Sequence, residues 1–448
     1  MFKSQPVKSG HYSSATSKSG FLRKSLIASL VSTCIAAPFA NAAGFDANNY
    51  ITGDWGGKRA ELVEQGVNIR LGHFSQTAYN AQGGASSEVA YADQFFVGGY
   101  FDLETLVGWK GAELKIEVSN RNGELINNKA DMPFLLQSQQ IFGRGNVTRL
   151  TQFSLTQRLF DDQLSIKAGR IYPSADFFAM SCAFQHLTFC SGGSSNYISS
   201  SWYGDPLSAL GIQTTYKLAD NLLLKAGAYD ANPETMSLNQ GLKFGTSGDT
   251  SGTTAVAEIE YKHDYGKGLD GDYRFGIVRS SLDKTRLVND AGFPNGTTDD
   301  NTQIQDTDNA FYINLEQQIT RNEMGGGLRL FASMIRSDND IAAVGEVLAF
   351  GGFINAPFEG RPLDRVGLAI GRNSVSSELS AAIRAYNASV GMEEIAERDH
   401  EYPIELNYNY AITPAIQVMP SIQYVISPSG DDDAENAVIL GLQLNLNF

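Results

Sequence analysis

The chain has 448 residues, with 34 Lys+Arg against 49 Asp+Glu and a formal charge of −15. So acidic a balance excludes nucleic acid as the main partner, because phosphate binding needs a basic surface. Frequent Gly (45), scarce Pro (13), 25 Phe and 19 Tyr favour strands over disorder. A mean hydropathy of −0.20 with a single long apolar run excludes a helical membrane protein but leaves a membrane β-barrel open.

The first segment reads as an address. Residues 1–24 carry Lys3, Lys8, Lys18, Arg23 and Lys24 and no acid, an apolar run follows from Leu26 to Ala40, and Ala40-Asn41-Ala42 closes it. A basic start, a short apolar core and an A-x-A site predict a secretory signal peptide over 1–42, cut after Ala42. The length of the run and Pro38 disfavour a membrane anchor. Thr33 disfavours a lipoprotein at Cys34, since a lipobox wants Gly or Ala there. Removing the segment takes five basic residues with it, so the formal charge falls to −20. Cys182 and Cys190 remain, and an even number in an exported chain reads as one disulfide worth about 2.5 kcal/mol. No Cys/His set stands at metal spacing, and neither a metal nor a cofactor is expected.

Residues 43–66 form an N-terminal segment with a short helix expected over 54–66. Asp54 supplies its cap, Leu62 and Val63 one face, and Gly66 its stop.

From Val67 onward the pattern has period 2. Ala112, Leu114, Ile116 and Val118 alternate with Glu113, Lys115, Glu117 and Ser119, and Tyr402 to Tyr410 alternate with Glu401, Pro403, Glu405, Asn407 and Asn409. Sixteen such segments are legible: 67–79, 90–104, 111–120, 147–160, 163–172, 209–218, 221–230, 253–262, 271–280, 310–320, 327–336, 344–357, 364–373, 401–411, 415–426 and 437–448. Their connections alternate long and short, with 337–343 as the exception. That asymmetry is what an outer-membrane barrel needs: an even number of antiparallel strands, short periplasmic turns, longer external loops, and closure that removes unpaired edges. The fold class expected is therefore all-β, a transmembrane antiparallel barrel of about 16 strands over 67–448. A final strand ending in Phe448 fits a barrel-assembly signal. Scattered Tyr79, Phe160 and Tyr410 suit the interfacial girdles. A soluble sandwich or propeller also alternates, but explains neither the two classes of loop nor the terminal aromatic. The helix near 54–66 is then expected to tuck into the periplasmic mouth, and a second helix is expected over 374–395.

Several stretches carry a family resemblance. Tyr50-Ile51-Thr52-Gly53-Asp54-Trp55-Gly56-Gly57-Lys58-Arg59, with Leu62 and Gly66, resembles the N-terminal signature of the OprB-like carbohydrate-selective porins. So do Ala168-Gly169-Arg170 with Asp176-Phe177, the stretch from Cys182 to Cys190, Gly360 to Leu368, and Ile422 to Gly430. The resemblance runs from about residue 47 to 448. It implies a sixteen-stranded barrel in the Gram-negative outer membrane that passes monosaccharides and related solutes passively. The chain departs from the pattern in its long basic start and in His186, where an amide is expected.

In a wide barrel, selection is the work of a constriction. The inward faces expected from parity carry Glu113, Lys115, Glu117, Lys167, Lys217, Lys225, Glu258, Glu260, Arg274, Glu316 and Arg329. Interspersed acid and base suit neutral polyhydroxylated solutes better than ions. The connection 173–208 is the longest, holds both cysteines, and contains Phe177, Phe178, Phe184, Phe189 and Trp202, so it is expected to fold inward. The candidate constriction residues are Glu113, Lys115, Glu117, Arg170, Phe177 and Trp202. Arg170 sits at the wrong parity for the lumen unless a bulge intervenes. Partners expected are sugars as transported solutes, outer-membrane lipid and lipopolysaccharide, with a homotrimer and a monomer both open. The acid runs Asp299-Asp300 and Asp431-Asp432-Asp433 read as solvated loop tips. An outer-membrane enzyme is disfavoured, because His73, His186, His263 and His400 have no persuasive Ser partner. A gated active transporter is disfavoured by the short segment before the first strand. A porin for organic acids is the serious rival, and it calls for a mainly basic lumen.

Overall fold

A computed structural model describes residues 45–190, 197–199, 201–245 and 252–448. The expected signal peptide, residues 1–42, and Cys34 within it lie outside the described residues.

Sixteen antiparallel strands close into one barrel, each paired with its neighbours in sequence and the first with the last. The strands are β1 (Val67–Gln82), β2 (Val89–Asp102), β3 (Ala112–Gly123), β4 (Val147–Leu159), β5 (Leu164–Ile171), β6 (Ala209–Ala219), β7 (Leu222–Ala231) and β8 (Gly252–Asp264). They continue as β9 (Asp270–Ser280), β10 (Asp308–Gln318), β11 (Gly327–Arg336), β12 (Val344–Asn355), β13 (Arg365–Val375), β14 (His400–Thr413), β15 (Ile416–Ile426) and β16 (Ala437–Asn447). Every segment expected from period-2 patterning is a strand, displaced by no more than a few residues at its ends. The reason is the pleat: alternation gives each strand one apolar and one polar face, and only closure satisfies all the backbone groups. The apolar face lies outside, where Val97, Ile116, Ile212, Ile259, Phe350 and Leu368 are among the half-buried or exposed residues.

Connections at one end have two to nine residues, and most at the other are longer. The first long-end connection, 83–88, is shorter than several at the other end because β1 runs on to Gln82, so it joins 337–343 in breaking the length rule. A helix, Ser377–Val390, falls inside the stretch expected to be helical. Ser376 caps it by accepting from the Leu379 amide, and Gly391 in the left-handed region ends it. The N-terminal helix is shorter than expected, Lys58–Glu64, because Trp55, Gly56 and Gly57 all take positive φ and delay its start. Asp54 still caps it, since its Oδ1 accepts from the Ala60 amide at 2.9 Å. Arg59 on this helix donates to the Phe448 carbonyl at 2.8 Å and the Ile69 carbonyl at 2.9 Å, and so ties the helix to both strands at the seam. Tyr50 covers its guanidinium 3.4 Å from the ring centre, with Trp55 beyond.

Two long connections turn inward. The third (172–208) leaves β5 and crosses the lumen, with a Cys182–Cys190 disulfide in its middle. Phe177, Phe178, Leu187, Ile198 and Trp202 pack with Val256, Val278, Tyr312 and Ile335 of the inner wall into one apolar cluster. A Cβ at Gly276 would collide with the Tyr312 ring, which is why the wall needs glycine there. The second (124–146) lies over β1, β14 and β15. The inner wall is therefore layered: apolar toward the long-loop end where the third connection packs, and charged below it.

Candidate functional site

Parity places the side chains of β3 alternately in and out. Glu113, Lys115, Glu117, Ser119 and Arg121 share the inner face, each nearly covered by its neighbours. Glu113 accepts from Arg158 of β4 at 3.1 Å, and Lys115 lies 3.6 Å from Glu117 and over the Tyr100 ring of β2. Arg121 reaches Gln94 of β2 through Nε at 2.9 Å and Asp205 of the third connection at 3.1 Å. Gln94 completes the triangle by donating to Asp205 Oδ2 at 2.9 Å. Wall and inward loop thus meet at a cluster of two cations, two carboxylates and an amide. Asp205 Oδ1 is buried and has no hydrogen-bond partner among the described residues. Burial raises the Asp205 carboxyl above the usual range, against the opposing pull of Arg121.

The same alternation of sign continues along the wall. Lys167 of β5 holds Asp176 at 2.8 Å, and Lys225 of β7 pairs with Glu258 at 3.1 Å and with Glu260 of β8. Arg274 of β9 bonds Glu260 at 3.0 Å and Asp272 at 2.8 Å, and Arg329 of β11 bonds Glu316 of β10 at 3.1 Å. Burial alone would raise the Asp176 carboxyl, but Lys167, Gln213 and Lys225 hold it below the usual carboxylate range. Such a wall offers donors and acceptors to neutral hydroxyls while presenting little net field.

The candidate residues divide. Glu113, Lys115 and Glu117 come together on the inner face of β3 as expected. Arg170 does not join them: its strand partners Phe153 and Leu210 are exposed on the outer face, and no bulge turns it inward. Its guanidinium instead donates to Ser208 Oγ at 3.0 Å and to the Lys243 and Phe244 carbonyls at 2.7 and 3.0 Å. It pins the loop after β7 and is not a constriction donor. Phe177 and Trp202 are also corrected. Trp202 is 0% exposed and sits edge-on to Phe177 and Tyr312, so both rings are spent on packing the loop and neither offers a face to a solute. Arg121 and Gln94 were legible, because they continue the inward parity of β3 and β2. Asp205 was not, since no periodicity runs through a loop. Among the described residues no group of His, Cys, Asp and Glu could hold a metal ion.

Comparison with known proteins bears on this geometry. The family model described as "Carbohydrate-selective porin, OprB family" matches residues 86–448. Porin B of Pseudomonas aeruginosa is 32% identical over 424 residues, covering 91% of this chain and 93% of that protein. Putative porin QuiX of Acinetobacter baylyi is 30% identical over 420 residues, covering 89% and 93%. Among solved structures, the high-pH structure of Pseudomonas putida OprB matches with a TM-score of 0.85 at 29% identity, over 90% of this chain and 99% of that one.

Proposed function

The chain belongs to the OprB family of carbohydrate-selective porins, and from that premise we propose that sugars pass between the third connection and the β2–β3 wall, handled by Lys115, Glu117, Arg121, Gln94 and Asp205. The protein is an outer-membrane, multi-pass β-barrel channel for carbohydrates and not an enzyme. The long-loop end is taken as external and the tight-turn end as periplasmic, as such barrels are built.

The observation that carries the reading is the Arg121–Gln94–Asp205 triangle, where polar groups of both signs from the wall and the inward loop meet. A sugar hydroxyl both donates and accepts, so it can replace one bond of this triangle without leaving a charge unpaired. An organic acid would add a negative charge beside Glu117 and Asp205. Glu113 with Arg158 continues the hydrogen-bonding edge toward the periplasm. We take the 43–66 segment as a periplasmic clasp on a barrel spanning 67–448. We take outer-membrane lipid as what meets the outer apolar face, with lipopolysaccharide above it. The acid runs at Asp299 and Asp431 remain solvated tips in this reading.

Liposome swelling with the purified protein tests the assignment, comparing glucose with quinate and with an amino acid of similar size. Fast glucose entry with the acid clearly slower is expected. Equal rates would mean a size-limited pore in which the triangle does no selecting, and faster entry of the acid would favour the organic-acid alternative.

A further inference from the structure

Most carboxylates of the inner wall face a Lys or Arg. Two do not. Glu401 and Glu405 lie four residues apart on the inner face of β14, both fully buried, and among the described residues neither forms an ion pair. Backbone amides of the inward loops take the place of a cation. Glu405 accepts from the Gln185 amide at 2.9 Å (Oε1) and 3.0 Å (Oε2), from the His186 amide at 2.7 Å, and from Asn407 Nδ2 at 2.8 Å. Glu401 accepts from Leu135 at 2.8 Å, Leu136 at 3.4 Å, Ser429 at 3.0 Å and Asn373 Nδ2 at 3.0 Å. A buried carboxylate satisfied only by N–H donors is stable only while those donors stay in place.

The backbone donors belong to three different external connections. Gln185 and His186 are the middle of the third, Leu135 and Leu136 the middle of the second, and Ser429 the one after β15. The second and third are further tied together, since the Gln140 amide donates to the Gln185 carbonyl and the Leu187 amide to the Gln137 carbonyl, each at 2.9 Å. The third connection then runs on to Asp205, the loop's contribution to the Arg121 triangle. β14 and β3 are five strands apart around the ring.

We propose that Glu401 and Glu405 are positioning residues of the passage: from one strand they hold the second and third connections in the lumen, and thereby set the aperture at the distant Arg121 cluster. Neither touches a sugar. Its consequence for flux rests on the porin reading, while the docking itself does not. Glu405→Gln is the sharpest probe, because the amide keeps one acceptor oxygen but turns an NH2 group against an N–H donor.

The test uses the full chain in detergent micelles and in planar bilayers. Hydrogen exchange is expected to accelerate at Gln185 and His186 in E405Q and at Leu135 and Leu136 in E401Q, with the barrel strands still protected. Conductance should rise and glucose block should be lost, while the folded, heat-modifiable mobility on gels is unchanged. A structural role confined to the barrel would not move exchange at one loop and spare the other. Unchanged protection at 185–186 in folded E405Q overturns the proposal, as does faster exchange with unaltered conductance. If the loops loosen and conductance rises but glucose fails to block even the unmodified protein, the latch stands and the sugar assignment falls. Should E405Q fail to fold, E405D, with both oxygens on a shorter stem, carries the same comparison.

Discussion

Arg121 is the residue on which the proposed selection turns, because it bonds both the neighbouring strand through Gln94 and the inward loop through Asp205. Arg121→Ala leaves Gln94 Oε1 without its donor and Asp205 without its cation. Glucose block is expected to weaken about tenfold, the ~1.4 kcal/mol of one charged hydrogen bond, and an unaltered half-blocking concentration would show that Arg121 only lines the wall. His186 makes a different point. Burial pushes its imidazole down to about 3, so it stays neutral in the folded chain. Nδ1 accepts from the Thr188 amide at 3.3 Å, which puts the proton on Nε2, an atom with no partner among the described residues. In the unfolded chain the ring titrates near ~6.5. The stability held at this site is therefore whole above that pH and is lost as pH falls from it toward about 3, by up to ~1.4 kcal/mol per unit. His186→Gln should flatten that slope, read as the urea midpoint at mildly acidic against neutral pH. A slope that survives the substitution would place its origin elsewhere.

At the scale of elements, strands were legible and the contacts made by loops were not, for one physical reason. A strand in a barrel repeats its environment every second residue, so Glu113, Lys115 and Glu117 declare their face without any tertiary knowledge. Glu401 and Glu405 declare theirs equally well, yet nothing periodic tells that they meet amides as far as 266 residues away. Arg170 shows the converse: its parity points outward, the expected lumen role required a bulge, and none is present in its pairing with β4 and β6. A disulfide-bearing aromatic loop suggests Trp202 as a lining group. Its company of Phe177 and Tyr312 was beyond any local pattern. Trp202→Ala should thus act on docking, costing about 3–5 kcal/mol of loop packing. Protease should cut within the third connection of this variant while the strands resist, and uniform resistance would count against a packing role. The helix Lys58–Glu64 offers a matching test outside the lumen. Arg59→Ala removes two hydrogen bonds and the Tyr50 stacking, and should lower the thermal midpoint without altering conductance.

For the whole molecule, charge and architecture separate. The chain is strongly acidic, yet the wall pairs Lys115 with Glu117, Lys167 with Asp176 and Arg274 with Glu260. A small reversal potential across a potassium chloride gradient is expected, and a large one of either sign would show that the pairs do not cancel in the passage. The sequential pairing of the strands carries a further cost that falls unevenly. Fifteen of the sixteen interfaces join segments that follow one another, through connections of two to 37 residues. The sixteenth brings Gly72 against Asn447. By the statistics of a flexible chain, joining ends that far apart forfeits roughly 5 kcal/mol of configurational entropy, several times the toll of a tight turn. The longest closure of this topology thus falls at a single junction, and Arg59 is bonded to both sides of it.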